Sequence, residues 1–305
     1  MLRALILAAW FAASCTAVAA DAMGTITILE GDAVIFRGVE RLQAAEGVRL
    51  QVGDIVETAA NTFAQVELVD QSVAQFGPAT RVMINGATQK KPERWLYLMD
   101  GWAKVSGIKR DAAAGPGFDV RAPTYEIPAS ASVVVLRSAP GEVALFVERG
   151  DPRIAERQAS GAPIVVPLKT GDFYRRRAPA RGSVNPSTSQ AFLAEVPRFF
   201  RDSLPLRIER YRDRPVVPRQ GPDFAYADVE TWLKAEPAVR RPLMQRWRSK
   251  AREPAFRAAL VANLSAHPEW DPILFPEKYK PKDPPAPRGA LAAGRPVSPA
   301  STGAP

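Results

Sequence analysis

The chain of 305 residues has one cysteine and one histidine, and beyond its first 20 residues it has no hydrophobic run long enough to span a bilayer. A single cysteine, Cys15, excludes an internal disulfide framework. A single histidine, His267, excludes a multi-histidine metal site and a histidine-based triad elsewhere in the chain. Its position before Pro268, at a predicted helix end, favours a structural or capping role. The sequence also has no phosphate-binding glycine loop. We therefore predict neither a cofactor nor catalysis.

The amino terminus has the layout of a secretory signal peptide. Arg3 precedes an apolar stretch over residues 4–13, and the small residues 17–20 precede Asp21. We expect residues 1–20 to be removed by cleavage near Ala20 and Asp21, which would place the protein in the periplasm of a Gram-negative cell. Two alternatives are a retained membrane anchor and a lipoprotein carrying its lipid on Cys15.

The formal net charge of +9 would favour nucleic acid as the ligand of a cytosolic protein, but an exported protein meets little nucleic acid. Basic residues also alternate with acidic ones, as in residues 207–210, which is typical of a solvated surface. We predict no nucleic-acid partner. The densest basic cluster is Arg175, Arg176 and Arg177 with Arg181. It predicts either a contact for an anionic cell-envelope polymer or a solvated strand end.

Two segments about a hundred residues apart repeat one pattern. Gly31-Asp32 is followed 22 positions later by Gly53-Asp54, and Gly150-Asp151 is followed 21 positions later by Gly171-Asp172. Such a repeat indicates a duplicated unit of strands joined by Gly-Asp turns. The four aspartates could supply a carboxylate pair for glycoside hydrolysis, but turn geometry already explains an aspartate after each glycine.

Residues 24–177 read as short strands separated by glycine, proline and aspartate, with no helical period. Alternation over residues 64–76 predicts a hairpin that turns at Asp70-Gln71 and has one apolar face. Another turn is expected at Asp100-Gly101, between strands 95–99 and 102–105. We predict a mainly β domain over residues 21–180, a sandwich or a coiled sheet with internal duplication.

Residues 181–276 predict a small α-helical domain. Ser187 and Gln190 form a candidate capping box, and Pro237 and Pro254 stand where first helical turns tolerate proline. The aromatic residues at helical spacing predict a core; the alternative is an aromatic groove for a glycan or a peptide. The core candidates are Trp232, Trp247 and Trp270. Residues 277–305 are rich in proline and alanine, and we predict a disordered tail there.

The β region resembles the FecR domain, the periplasmic part of regulators that relay the state of an outer-membrane receptor to a sigma factor. The segments that carry the resemblance are residues 24–32, 50–58, 64–72, 76–80 and 118–124. The sequence departs from the family pattern at Asp70-Gln71, where Asp-Gly is expected, and at residues 128–132. The resemblance implies a domain for periplasmic recognition. A signal peptide stands where those regulators have an anti-sigma segment and a spanning helix, so we expect detachment from the usual relay.

Taken together, the sequence predicts an exported, non-catalytic FecR-like binding or scaffold module. Its expected partner is an envelope protein or an anionic cell-envelope polymer. One alternative is a sensory component that works through a separate membrane-bound regulator. The other is a glycan hydrolase that uses a carboxylate pair.

Overall fold

The computed structural model describes residues 22–85, 93–109, 116–158 and 160–279. The predicted signal peptide, its cleavage point near Ala20 and Asp21, Cys15, and the tail from residue 280 onward lie outside these residues. In the described ranges, no helix is long and apolar enough to cross a membrane.

The β region forms two sheets that share one long strand. Sheet I has the order β4-β1-β6-β7-β9-β12-β13-β16-β17, and sheet II has the order β18-β3-β2-β5-β8-β9-β10-β11-β14-β15; both follow from the strand pairings. All of these pairs are antiparallel except β9 with β10. The strands are β1 (Ala22–Glu30), β2 (Ala33–Arg37), β3 (Glu40–Gln43), β4 (Arg49–Gln51), β5 (Ile55–Thr58), β6 (Phe63–Leu68), β7 (Val73–Phe76), β8 (Arg81–Asn85), β9 (Arg94–Ser106), β10 (Phe118–Arg121), β11 (Tyr125–Ile127), β12 (Val133–Ala139), β13 (Glu142–Arg149), β14 (Arg153–Glu156), β15 (Ile164–Pro167), β16 (Phe173–Arg177), β17 (Ser183–Asn185) and β18 (Arg219–Gln220).

The two sheets share β9 and curl around one hydrophobic core, so the predicted mainly β domain is confirmed. Sheet I contributes residues such as Ile26 and Leu145, and sheet II contributes residues such as Ile35 and Leu96. Each of these side chains is at most 1% exposed. Alternate residues point to the opposite face of each sheet, as strand geometry requires.

The predicted turn at Asp100-Gly101 is wrong, because β9 runs through it without a break. The first half of β9 pairs with β8 in sheet II, and the second half pairs with β7 and β12 in sheet I. Gly101 lies where the strand passes from one sheet to the other, with φ of +97°. A Cβ atom at this position would be 2.4 Å from Cα of Thr80, so the bend requires glycine.

The repeated Gly-Asp turns are the corners at which the chain passes between sheets. Gly53 and Gly171 both have positive φ, and the carboxylates of Asp54 and Asp172 each accept the backbone N–H three residues earlier, at 2.8 and 3.0 Å. The duplication is partial. The turn at Gly53 leads from sheet I to sheet II, whereas the turn at Gly171 leads from sheet II to sheet I.

Asp70-Gln71 turns the β6–β7 hairpin as predicted, but the hairpin is covered on both faces. Gln65, Glu67 and Gln75, on its polar face, are each no more than 7% exposed. A segment over residues 201–218, which we call the strap, covers them. The Gln65 amide donates to the carbonyl of Pro205 at 3.1 Å, and Glu67 accepts the backbone N–H of Arg207 at 2.6 Å.

The C-terminal region is helical, and its first helix begins later than predicted. Ser189, and not Ser187, is the N-cap of α1, where its hydroxyl accepts the backbone N–H of Phe192 at 3.1 Å. Pro237 and Pro254 are first-turn residues, as expected. The helices are α1 (Gln190–Glu195), α2 (Tyr226–Leu233), α3 (Pro237–Arg246), α4 (Pro254–Ala262) and α5 (Asp271–Leu274), and 3₁₀ turns lie at Arg198–Phe200, Ile208–Tyr211, Arg248–Arg252, Leu264–Ala266, Pro268–Trp270 and Pro276–Tyr279.

The helices lie on opposite sides of the sandwich. Helix α1 and the turn Arg198–Phe200 pack on the outer face of sheet I, against residues such as Phe63 and Phe173. Helices α2–α5 pack on the outer face of sheet II, against Phe36 and Tyr97 among others. The strap joins the two sets of helices, and β18 then adds to the edge of sheet II.

The three tryptophans of α2–α5 are core residues, and the alternative of an aromatic groove is wrong. Trp232, Trp247 and Trp270 are at most 1% exposed. Two of them anchor the helices to the sandwich: Nε1 of Trp232 donates to Glu57 at 2.7 Å, and Nε1 of Trp247 donates to the carbonyl of Gly38 at 2.9 Å. The indole N–H groups are therefore directed at the sandwich and not at solvent.

Candidate binding cleft

A cleft of about 720 Å³ opens where α2 meets the sandwich. Its floor is the sheet II half of β9, with Tyr97 and Met99. One wall is the turn between β12 and β13, around Pro140, and another is the β10–β11 connection at residues 123–124. The outer wall is α2 with residues 234–236. Segments from both sheets and from the helical region thus build the cleft together.

In the cleft, each carboxylate is paired with a cationic side chain of the lining or of the rim. Three carboxylates line it, those of Asp100, Glu230 and Glu236, against the single ammonium of Lys234. Lys234 pairs with Glu230 at 2.6 Å, one helical turn away on α2. Guanidinium groups at the rim pair with the other two carboxylates at 2.8 and 2.6 Å. Apolar side chains fill the spaces between these ion pairs.

One buried polar atom of the cleft lining, Oδ1 of Asp100, makes no hydrogen bond with any described residue, whereas the buried hydroxyl of Tyr97 faces the carboxylate of Glu236. Tyr97 is 2% exposed. Its burial, and then the nearby Glu236 carboxylate, raise the pKa of the phenol, so it stays a neutral donor near pH 7. A buried carboxylate oxygen without a partner, such as Oδ1 of Asp100, is costly, and such atoms often mark a place that a ligand or an ordered water completes.

The predicted basic cluster does not form one surface. Arg175 and Arg177 of β16 share the carboxylate of Glu142, with contacts at 2.8 and 3.4 Å. Arg176 points to the other side, where its guanidinium donates to the carbonyl of Thr124 at 3.1 Å. Arg181 is exposed beyond the strand end. The structure therefore separates Arg176 from its neighbours and engages three of the four guanidinium groups within the fold.

The aspartates of the repeat hold their own turns. The carboxylate of Asp54 is 1% exposed and pairs with Arg37 at 2.6 Å as well as with its own turn. Asp172 is 6% exposed and caps the corresponding turn, whereas Asp32 and Asp151 are exposed turn residues. The two buried carboxylates are thus occupied by structural contacts. No group of three or more His, Cys, Asp or Glu side chains that could hold a metal occurs in the ranges that the structure describes.

His267 is fully buried, and its Nε2 atom lies 3.1 Å from the hydroxyl of Tyr226. Burial lowers the pKa of its imidazole. The contact links the end of the helical region to α2.

Sequence reasoning missed the cleft because its walls come from distant parts of the chain. Periodicity places Trp232 and Leu233 on the buried face of α2, and so leaves Glu230 and Lys234 at its edge. No feature of the sequence brings the β12–β13 turn beside that edge.

The protein is thus a mainly β domain whose outer faces are covered by helices, with a mixed polar and apolar cleft where α2 meets the sheets. Residues 54–151 match the model of the FecR protein family as a FecR domain, which confirms the resemblance seen in the sequence. The helical C-terminal region is not covered by that family. No curated protein matches the chain.

Two crystal structures, each of a candidate anti-sigma factor from Parabacteroides distasonis ATCC 8503, resemble part of the chain. They share 16% and 17% sequence identity with it, at TM-scores of 0.38 and 0.37. Each similarity covers 46% of this chain and 62% or 63% of the other. The chain thus spans less than two thirds of these proteins, and this distant likeness carries no argument about function.

Proposed function

We propose that the protein is a non-catalytic binding module of an envelope signal-transduction system, which recognises a separate membrane-bound regulator through the cleft. The cleft carries this proposal: it joins the FecR domain to the helical region and has a buried carboxylate oxygen, Oδ1 of Asp100, that a ligand would complete. The predicted signal peptide supports a periplasmic location. Export is tested by mass spectrometry of the periplasmic fraction, where the mature chain is expected to begin at Asp21.

Partner binding is tested by capture from solubilised membranes, with two variants of equal charge change. Glu230→Lys alters the cleft wall, whereas Glu209→Lys alters an exposed ion pair in the strap, with Arg212. We expect the wild-type chain and Glu209→Lys to retain a membrane-bound regulator, identified by mass spectrometry, and Glu230→Lys to lose it.

Two results would contradict the proposal. One is that the wild type, Glu230→Lys and Glu209→Lys capture the regulator equally, or that they capture only a cell-wall polymer. The other is glycan turnover by the purified chain that Asp54→Asn abolishes while circular dichroism shows the variant still folded, because such a result would favour the hydrolase alternative.

A further inference from the structure

We infer that His267 and Tyr226 form an acid-sensitive latch: protonation of His267 loosens the contact that fixes the beginning of α2 and so disturbs the outer wall of the cleft. This inference rests on the proposed function, because the ligand released on acidification would be the membrane-bound regulator. Three observations carry it: the enclosure of the ring, the polar and charged groups around it, and the place of α2 in the cleft wall.

The imidazole of His267 is enclosed beside the first residue of α2, Tyr226. It is 0% exposed, and its ring meets the Tyr226 ring in an edge arrangement with centroids 5.9 Å apart. Its Nε2 atom lies 3.1 Å from the Tyr226 hydroxyl. The Tyr226 ring also contacts Phe256 of α4, with centroids 5.9 Å apart. These contacts fix the beginning of α2 against two other parts of the helical region.

The hydrogen-bonding groups around the ring suit its neutral form. Burial, and then the carboxylate of Glu230, raise the pKa of Tyr226 to about 12, so its hydroxyl stays neutral. Nδ1 of His267 makes no hydrogen bond with any other described residue. The carbonyl of His267 itself faces the ring, but it already accepts the backbone N–H of Trp270 at 3.1 Å. An imidazolium has two N–H donors, so one of them would depend on this shared carbonyl.

The charges around the ring also oppose protonation. Burial is the largest cause that lowers the pKa of the imidazole, and the cations Lys234 and Arg240 lower it further. Glu269 acts to raise this pKa, but two N–H groups of Arg240 already bind its carboxylate, at 2.8 and 2.9 Å. An imidazolium at position 267 would therefore be buried without a carboxylate of its own.

The remaining charged groups of the neighbouring helices are engaged elsewhere. On α2, the carboxylate of Asp228 accepts the backbone N–H of Ala225 at 2.7 Å. On α4, the one charged residue, Arg257, donates to a backbone carbonyl of α5. On α5, Asp271 pairs with Lys278 at 3.0 Å. None of these groups supplies a free negative charge to the ring.

Helix α2 connects the latch to the cleft. Glu230, Thr231 and Lys234 line the cleft, and Lys234 is also one of the two cations that act on His267. Protonation would weaken the contact that fixes the beginning of α2 and would place a second positive charge near Lys234. Both effects disturb the same wall. By linkage, a regulator that binds the intact wall must lower the pKa of His267 further.

The direction of the pH dependence follows from the surroundings of the ring. The folded state binds the proton less tightly than an exposed histidine, whose pKa is 6.5. The latch is therefore intact above pH 6.5 and loses stability as pH falls below that value. Glu57, which contacts α2 from sheet II, has a raised pKa and acts in the opposite direction. Comparison with a variant at position 267 cancels the contribution of Glu57.

The chain has one histidine, so nuclear magnetic resonance of the full chain without a histidine tag reads the titration directly. We expect a pKa below 6.5, and a further decrease in Tyr226→Phe, because the imidazolium then loses the hydroxyl that accepts from Nε2. Titration at or above 6.5 would overturn the inference. This result needs no variant, so it decides even where a substitution prevents folding.

Hydrogen exchange of the α2 amides, expressed as protection factors, tests the loosening. Between about pH 7.5 and about pH 5.5 we expect the factors of the wild type to fall several-fold, with a limit of about tenfold set by an exposed histidine. His267→Gln keeps a polar group near the Tyr226 hydroxyl but does not titrate, and we expect its factors to stay constant. Equal changes in both proteins would overturn the inference.

Regulator capture at the same two pH values separates this inference from the proposed function. We expect the wild type to retain several-fold less regulator at the lower pH, and His267→Gln to retain equal amounts at both. If neither protein captured a regulator at the higher pH, the proposed function would fail. If both captured it there and lost it equally on acidification, or if the wild type lost none, the proposed function would stand and the latch would be wrong.

Discussion

At the scale of single residues, Asp54 and Asp172 hold equivalent turns in different surroundings. Both carboxylates accept a backbone N–H three residues earlier, but the Asp54 carboxylate also forms a buried ion pair with Arg37, at 2.6 Å. Asparagine can still accept the turn hydrogen bond. The loss of the negative charge matters only at position 54, because there the guanidinium of Arg37 is left without its partner.

We therefore expect Asp54→Asn to lower the free energy of unfolding by about 2–4 kcal/mol, and Asp172→Asn by about 1 kcal/mol or less. The lower end of the first range reflects the partial exposure of Arg37. Urea denaturation of both variants and the wild type measures the difference. Equal losses would show that the ion pair contributes nothing beyond the turn.

Glu57 gives a pH dependence at the contact between sheet II and α2. Its carboxylate accepts the indole N–H of Trp232, and burial raises its pKa above the ordinary 4.5, against the lowering effects of that hydrogen bond and of Arg81. The folded state then binds the proton more tightly than the unfolded state. The contribution of Glu57 is thus largest below pH 4.5 and is lost as pH rises through the raised pKa.

We expect Glu57→Gln to gain stability relative to the wild type as pH rises from about 4.5 through the raised pKa of Glu57. The reason is that glutamine carries no charge that burial would desolvate. The measurement is the difference in free energy of unfolding between variant and wild type from pH 4 to pH 7. Other carboxylates, such as Glu142 and Glu269, have lowered pKa values and change the stability with pH in the opposite direction. Their contribution is the same in variant and wild type, so it cancels in the difference. A difference that did not change with pH would contradict the account.

At the scale of elements, the β6–β7 hairpin shows what sequence periodicity misses. Alternation correctly predicted two strands and a turn, since it reports which side chains share a face. It also predicted one solvent-facing side, because Gln65, Glu67 and Gln75 are polar. The strap covers that side, and it follows these residues by about 140 positions. Burial of a polar face by a distant segment leaves no periodic signal.

Glu67 holds the strap in place, since its carboxylate accepts the backbone N–H groups of Arg207 and Ile208 at 2.6 and 3.2 Å. In Glu67→Gln one of the two accepting oxygens is replaced by an NH₂ group. This group is a donor, and it would meet a backbone N–H that is also a donor. We expect trypsin to cleave within the strap several-fold faster in Glu67→Gln than in the wild type. Glu209→Gln, an equal change at an exposed site, is the control and should leave the rate unchanged. Equal rates in both variants would mean that other contacts hold the strap.

At the scale of the whole molecule, local signals predicted most elements but not their arrangement. First-turn prolines and helical spacing predicted α3 and α4, and the Gly-Asp repeat predicted turns between strands, which the structure places at the corners between the sheets. Nothing in the amino-acid pattern places α1 on sheet I and α2–α5 on sheet II, because hydrophobic faces of similar character fit either sheet. The cleft depends on that arrangement and was missed for the same reason.

The covered outer faces mean that the sandwich depends on the helices. Without residues beyond 186, sheet II would expose Phe36, Ile55 and Tyr97, and sheet I would expose Phe63 and Phe173. Such apolar patches on both sides promote association. We expect a fragment of residues 22–186 to keep a β-type circular dichroism spectrum but to bind a hydrophobic dye and to aggregate at concentrations where the chain through residue 279 is monomeric. A fragment that stayed monomeric and unfolded cooperatively would show that the helices lie on a sandwich that is already complete.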